Sequence, residues 1–317
     1  MYYLGIDLGG TNIAAAVVND NYEIIGKSKI KTRAPRPANE IANDMFQAGV
    51  QAASVAGISL ADIKSIGVGA PGTINKATGI IEFSNNLGFH NEPLLGMLEN
   101  HYGCKVYMEN DANAAAYGEF LCGAGKGTSD FIAITLGTGV GSGIVIGGRI
   151  LAGSNFAGAE IGHTVIVNEG VLCSCGRKGC WESYASATGL INLTKTAMEM
   201  NKDSKMWEIS GGIDKVSGIT AFDAMRAGDL AGTDVTKQYI EYVACGLTNA
   251  INIFQPEVIC LGGGISAEGE TILAPIREYV ENNRYSKYSV KQTVIKRAEL
   301  GNDAGIIGAA FLFRMYE

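Results

Sequence analysis

The sequence predicts an α/β protein of two domains, and three observations carry this. A chain of 317 residues is long enough to fill two cores. Short β-branched runs alternate with longer stretches of helical period, as in layered α/β folds. One unit also occurs twice. Leu4-Gly-Ile-Asp-Leu-Gly-Gly-Thr-Asn-Ile13 and Ile132-Ala-Ile-Thr-Leu-Gly-Thr-Gly-Val140 both run from a strand-like segment through Leu-Gly into a second one. This marks an internal duplication, each copy opening a domain.

Taken in order, Tyr2 to Ile6 and Ile13 to Val18 read as a hairpin around Asp7-Leu8-Gly9-Gly10-Thr11-Asn12, and Glu23 to Ile30 as a third strand. Pro37 to Val55 has helical period through Ile41, Met45, Ala48 and Ala52. Ile63 to Ala70 is a buried strand ending in Pro71-Gly72. Gly79 to Phe83 is another, followed by the polar loop Ser84-Asn85-Asn86 and a helix near Glu92 to Tyr102. Lys105 to Glu109 is a strand that stops at Asn110-Asp111-Ala112-Asn113, before a helix over Ala114 to Cys122. Gly118 to Thr128 then crosses between halves. Asp130 to Leu136 and Ile144 to Ile150 flank the second glycine loop, Gly137 to Gly143. Helical period returns over Trp181 to Met200, Thr220 to Gly228 and Thr233 to Phe254. Glu257 to Leu261 is a strand running into Gly262-Gly263-Gly264. A helix over Thr271 to Asn283, a strand over Gln292 to Lys296 and a helix over Asp303 to Met315 complete the chain. The expected division is 1–121 with 303–317 as a smaller domain and 122–302 as a larger one.

Composition removes several classes. A net charge of −7 and a pI near 5.2 offer no global attraction for nucleic acid or an anionic membrane. Met1-Tyr2-Tyr3-Leu4 lacks the basic and apolar regions of a signal peptide, and no apolar stretch reaches bilayer length. Seven cysteines without a secretory signal fit a cytoplasmic protein.

The cysteines cluster. Cys173, Cys175 and Cys180 fall within eight residues, and His163, one of three histidines, lies ten residues before them. Three thiolates and an imidazole are the ligand set of a closed, structural zinc site. Gly176 and Gly179 would let the backbone fold around one ion. Glu160 and Glu182 bracket the loop, so a polar ligand is expected beside the metal.

Three glycine stretches mark loops that expose backbone amides. The first presents amides, the Thr11 hydroxyl and the Asp7 carboxylate. That set suits a phosphate and its magnesium, although taken alone it also reads as a hairpin turn. Gly137-x-Gly139-x-Gly141 is followed by a strand, which excludes a dinucleotide fingerprint. Gly262 to Gly264 lies between strand and helix, but the acidic residue of a nicotinamide site is missing from the next strand end. Gly123-Ala-Gly-Lys126 lacks Walker A spacing. Asp111 stands where ligands gather in open α/β sheets, and also where a helix N-cap would stand.

Together these features resemble the ROK family of sugar kinases and repressors, over nearly the whole chain, and most closely its bacterial glucokinases. The resemblance implies an actin-like, Hsp70-like (ribonuclease H-like) ATPase fold: two α/β domains with an interdomain cleft. It implies that Asp7, Gly9, Gly10, Thr11 and Asn12 form the first phosphate loop, with Asp7 near Mg2+, through water. Gly137, Thr138 and Gly139 form the second, and Gly262, Gly263 and Gly264 the adenosine loop. Asp111 is implied as catalytic base. Gly72, Asn85, Asn110, Glu160, His163 and Glu182 are implied as sugar contacts, and His163, Cys173, Cys175 and Cys180 as zinc ligands. The activity implied is transfer of the ATP γ-phosphoryl group to the 6-hydroxyl of glucose. N-acetylmannosamine, N-acetylglucosamine, fructose and allose are alternative acceptors. A homodimer or homotetramer is implied by the same resemblance. The sequence departs from the family at Asn12, where many members carry Lys, and at Asn86-Leu87-Gly88-Phe89, where Trp usually closes the loop. Family repressors carry a DNA-binding module before the first glycine loop. Asp7 stands so near Met1 that a kinase is expected here and nucleic-acid binding is not.

Overall fold

The duplicated hairpins organise the sheets. In the computed structural model, which describes residues 1–316, β1 (Tyr2–Leu8) pairs antiparallel with β2 (Asn12–Asn19), and Leu8 faces Ile13. β2 pairs with β3 (Ile24–Lys31), and α1 (Ala38–Ala56) follows, ended by Gly57 in the left-handed region. β4 (Ile63–Ala70) lies parallel to β1. A small antiparallel sheet of β5 (Thr73–Asn75), β6 (Ile80–Ser84) and β7 (Phe89–Glu92) comes next. α2 (Leu94–Tyr102), β8 (Val106–Asn110) and α3 (Asp111–Cys122) complete this stretch, giving a sheet ordered β3-β2-β1-β4-β8.

The second hairpin is β9 (Phe131–Leu136) and β10 (Val140–Ile146), followed by β11 (Arg149–Ile150). The helices are α4 (Glu182–Ala185), α5 (Ala187–Met200), α6 (Met206–Ser210), α7 (Thr220–Arg226) and α8 (Leu230–Phe254). β12 (Val258–Gly262), α9 (Glu270–Asn283), β13 (Val294–Arg297) and α10 (Ala304–Ala310) end the chain, and the second sheet runs β11-β10-β9-β12-β13. Contacts divide the chain into two units. One holds Met1–Ala133, Gly143–Ala159 and the chain from Glu299 onward; the other holds Ile134–Ser142 and Glu160–Ala298. Among the described residues no helix is long and apolar enough to cross a membrane.

The first unit shows why β1 alternates large and small residues. Leu4, Ile6 and Leu8 join Ile41 and Met45 of α1 in one buried cluster, while Tyr3 joins Ile307 and Phe311 in another. Gly5 and Gly67, opposite each other across β1 and β4, lie under α10. A Cβ on either would come within 1.9 Å of a carbonyl of α10, Ile306 or Ala309. In the second unit Trp181 is fully buried, its ring packed over Gly246 of α8 and its Nε1 donating to Tyr242 O at 2.8 Å. Burying a side chain of this size contributes roughly 3 kcal/mol.

Three element readings need correction. The second glycine loop is only Gly137–Gly139: Gly141, Ser142 and Gly143 are strand residues, and Gly143 is small because a Cβ would approach Ala116 Cβ at 2.4 Å. The helix expected over Trp181 to Met200 breaks at Ser186, whose hydroxyl caps α5 by accepting from Gly189 N at 3.0 Å. The C-terminal helix stops at Ala310 and tightens into a 3₁₀ turn over Leu312–Met315.

Candidate active site and metal centre

In the first unit, parallel pairing aligns three strand ends: Asp7 stands opposite Gly69, and Gly69 opposite Glu109. Asp7 and Asp111 are thereby brought together. Gly69 lets α3 approach the strand ends, since a Cβ there would stand 3.1 Å from Ala114 Cβ. Burial, with the charge of Asp111 added, raises the Asp7 carboxyl from 3.8 to about 6. Burial likewise raises Asp111, against hydrogen bonding from backbone amides. No ion pair among the described residues neutralises Asp7. Two close carboxylates with raised pKa values offer hard oxygen ligands, which suits magnesium.

The loop after Asp7 is tightly made. Gly9 N donates to Asn12 O at 2.9 Å, and the Thr32 hydroxyl donates to Gly9 O at 2.6 Å. Gly10 lies against Asn86, Thr11 is exposed, and the side-chain oxygen of Asn12 is buried without a hydrogen-bond partner. Asn12 thus brings an unsatisfied acceptor, not a cation, to this loop.

Asp111 is not the helix cap. Asn110 takes that role: its Oδ1 accepts from Ala112 N at 2.9 Å and Asn113 N at 3.2 Å. Asp111 is therefore the first residue of α3, with Oδ1 accepting from Ala112 N at 2.9 Å. Asn110 Nδ2 donates to Gly72 O at 3.2 Å and keeps one further N–H to offer. Gly72 has φ of 110°, and a Cβ there would strike Phe83 O at 2.1 Å, so only glycine fits. Asn85 lies exposed in the turn after β6, its carbonyl accepting from Gly88 N at 3.3 Å.

In the second unit, loop 137–139 is closed by Gly137 N donating to Gly139 O at 3.0 Å. The start of α5 holds it. Ala187 N donates to Gly137 O and the Thr188 hydroxyl to Thr138 O, each at 2.8 Å. The neighbouring loop, Gly262 to Gly264, runs beside β9. Gly263 has φ of 83° and would clash with Leu136 O at 2.3 Å if it bore a side chain. Gly264 opens a 3₁₀ turn before α9.

The cysteine loop folds back on itself. Cys173 N donates to Arg177 O at 2.8 Å, Gly176 N to Cys173 O at 2.9 Å, and Gly176 and Gly179 take φ of 86° and 80°. The ligand atoms of His163, Cys173, Cys175 and Cys180 all lie within 4.8 Å of one another. Cys175 and Cys180 sulfurs are 3.7 Å apart, and Cys173 Sγ is 3.6 Å from His163 Nδ1. A tetrahedron with bonds of about 2.0 to 2.3 Å has edges of about 3.5 to 3.8 Å, so the donor set fits zinc. His163 would ligate through Nδ1, leaving Nε2 for another partner.

Glu182 joins this loop to the glycine loop. Its Oε2 accepts from Val140 N at 3.0 Å, while Oε1 accepts from Ser174 Oγ at 3.2 Å and Cys173 Sγ at 3.6 Å. Much of its acceptor capacity is therefore used within the protein. Glu160 is exposed, just before the turn Ile161–His163, with its carbonyl accepting from His163 N at 3.1 Å.

Sequence reasoning missed Ser174, Thr188 and Glu109, which contact Glu182, Thr138 and Asn110, and Lys76, which pairs with Glu109. Glu109 left one signal, an acid at the end of an apolar strand.

Glycine loops at strand ends, duplicated on two sheets, with paired carboxylates beside one loop, define the actin-like class of two-domain α/β proteins. Residues 3–315 match the ROK family, and the chain belongs to it. It is 38% identical to a glucokinase of Halalkalibacterium halodurans, over 100% of this chain and 96% of that protein. It is 33% identical to a glucokinase of Thermotoga maritima, over 98% and 96% of the two chains. Among solved structures it is similar to a ROK glucokinase from Streptomyces griseus in complex with glucose and AMPPNP. That likeness has 35% identity and a TM-score of 0.80, over 98% of this chain and 99% of that one.

Proposed function

We propose that this chain is an ATP-dependent glucose kinase that phosphorylates the 6-hydroxyl, with Asp111 as general base. The observation that carries the reading is Asp111 itself: half-buried near Asp7 at the start of α3, and released from capping by Asn110. Full-length similarity to bacterial glucokinases supports the acceptor and donor.

A sugar hydroxyl is a poor nucleophile near neutral pH, and a carboxylate within hydrogen-bond reach accepts its proton as the bond to phosphorus forms. Burial raises Asp111 above the ordinary carboxylate value, which makes its ionised form a stronger base. The amides of loops 9–12 and 137–139 supply donors for phosphate oxygens, and loop 262–264 receives the adenosine. Asp7 would hold a magnesium ion, whose chemistry is to offset phosphate charge. Asn110 Nδ2, His163 Nε2, Glu160 and Asn85 offer directional contacts to sugar hydroxyls, with Gly72 shaping the backbone there. Glu182 adds its remaining acceptor. His163, Cys173, Cys175 and Cys180 would hold a zinc ion, and ligation would fix the tautomer of the His163 imidazole.

The test is a panel of hexoses and N-acetylhexosamines with ATP and magnesium, run on wild type and Asp111→Asn. Glucose should give the highest kcat/KM, and the variant should lose at least about a hundredfold in kcat. Preference for another sugar by tenfold or more would reassign the acceptor. An Asp111→Asn enzyme close to wild type would remove the base.

A further inference from the structure

Glu109, the residue before Asn110, is only 3% exposed. A carboxylate so buried must find partners. Its Oε1 accepts from Asn110 N at 2.9 Å and from Asn113 Nδ2 at 3.1 Å, and its Oε2 pairs with the ammonium of Lys76. Lys76 follows β5 and is itself largely buried, with its ammonium 5.9 Å from the centre of the Phe156 ring. The segment 72–76 is therefore tied twice to the β8–α3 junction, by Asn110 Nδ2 to Gly72 O and by Lys76 to Glu109.

These ties occur where the backbone ladder runs out. Pairing of β8 with β4 ends at Asn110, opposite Ala70, and Asp111 already begins the helix. From there the direction of the Asp111 side chain depends on contacts that fix the first turn of α3. Glu109 supplies two of them, to Asn110 N and Asn113 Nδ2. Buried ion pairs add little net stability compared with apolar replacements, so stability alone does not account for a lysine at this place. Geometry does.

We infer that Lys76 is a positioning residue for phosphoryl transfer. Acting through Glu109, it locks the turn that presents Asp111 and keeps that turn in register with the Gly72 segment. The inference rests on the proposed role of Asp111 as base. Lys76 touches neither sugar nor nucleotide in this scheme, and Gly72 and Asn110 keep their own hydrogen bond without it, so its loss should be felt more in the chemical step than in ground-state binding.

The experiment compares wild type with Lys76→Met, Lys76→Arg and the double variant Lys76→Met/Glu109→Gln. The readouts are kcat and KM for glucose, thermal melting, and hydrogen exchange of the peptide that opens α3. Lys76→Met should lower kcat about tenfold to a hundredfold, as a small misplacement of a reacting group does, with KM for glucose changed much less than kcat. Exchange at Ala112 and Asn113 should rise, and Lys76→Arg should retain most of kcat. The double variant removes both buried charges and keeps an acceptor at position 109. It should regain melting temperature while kcat stays low. A purely structural pair would restore both together, and that result overturns the inference, as would a folded Lys76→Met with wild-type kcat. If Lys76→Met fails to fold, the double variant and Lys76→Arg decide by the same criteria. If wild type phosphorylates no sugar, the role of Asp111 fails, and hydrogen exchange still reads whether Lys76 holds the junction. Unchanged protection in Lys76→Met would then end the proposal.

Discussion

At the scale of single residues, Asp7 and Asp111 show how burial is exchanged for chemistry. Asp7 rises from 3.8 to about 6 because burial and the nearby charge of Asp111 both penalise its ionised form. Between those pH values the unfolded chain has released the proton and the folded chain retains it. Stability therefore falls as pH rises through this window and levels off above it. At about 1.4 kcal/mol per unit, the ionised Asp7 costs on the order of 3 kcal/mol above pH 6. Asp7→Asn should then be more stable than wild type at pH 8 by up to that amount, with the gain shrinking as pH falls toward 3.8. Urea melts at several pH values measure this directly. The same variant should lose most of its kinase activity, the trade expected of a strained active site. An Asp7→Asn protein no more stable than wild type at pH 8 would mean that the carboxyl is not strained.

At the scale of elements, legibility followed periodicity and turn chemistry. The strand over Ile63–Ala70 was readable to the residue because Pro71-Gly72 ends it sharply and the residues from Ile66 to Ala70 form one apolar or small run. The four candidate zinc ligands were readable because soft ligands clustered in sequence also cluster in space. The small sheet of β5 to β7 was only partly readable, since β5 has three residues and β7 four, too few to show a period. Asn110, read as a sugar contact, also caps α3, a role that Asn and Asp share and that spacing alone cannot divide between neighbours. Glycine was the most ambiguous letter. Glycines in the hairpin loops expose amides, while others exist to let elements approach. Gly308 of α10 is of the second kind: its Cβ would lie 1.8 Å from Ala114 O and 2.7 Å from Gly118 N of α3. Both atoms are backbone, so neither can swing aside. Gly308→Ala should destabilise the protein by about 3 kcal/mol or more, at the upper end of overpacking costs, although alanine is the better helix former. Chemical denaturation would show it, and a neutral result would mean that α10 can shift on α3 at little cost.

At the scale of the whole molecule, the candidate residues divide between two units. Asp7, Gly72, Asn110 and Asp111 belong to the first, while all four candidate zinc ligands and the loops 137–139 and 262–264 belong to the second. A structural metal contributes folding free energy only to the part that binds it. Removing zinc should therefore lower the melting of the second unit and leave that of the first nearly in place. A calorimetric trace that is one cooperative endotherm with zinc should then broaden or split after chelation, and calorimetric and van't Hoff enthalpies should part. Cys175→Ala should reproduce the change without chelator, and added zinc should not reverse it. Nucleotide binding should weaken as well. Glu182 joins Ser174, next to Cys173, to the amide of Val140, so a loosened cysteine loop releases one of the holds on loop 137–139. Titration of an ATP analogue into Cys175→Ala would measure that loss, and Ser174→Ala should show a smaller one with its zinc retained. A Cys175→Ala protein that melts and binds nucleotide as wild type does would leave the cysteine loop without a structural role.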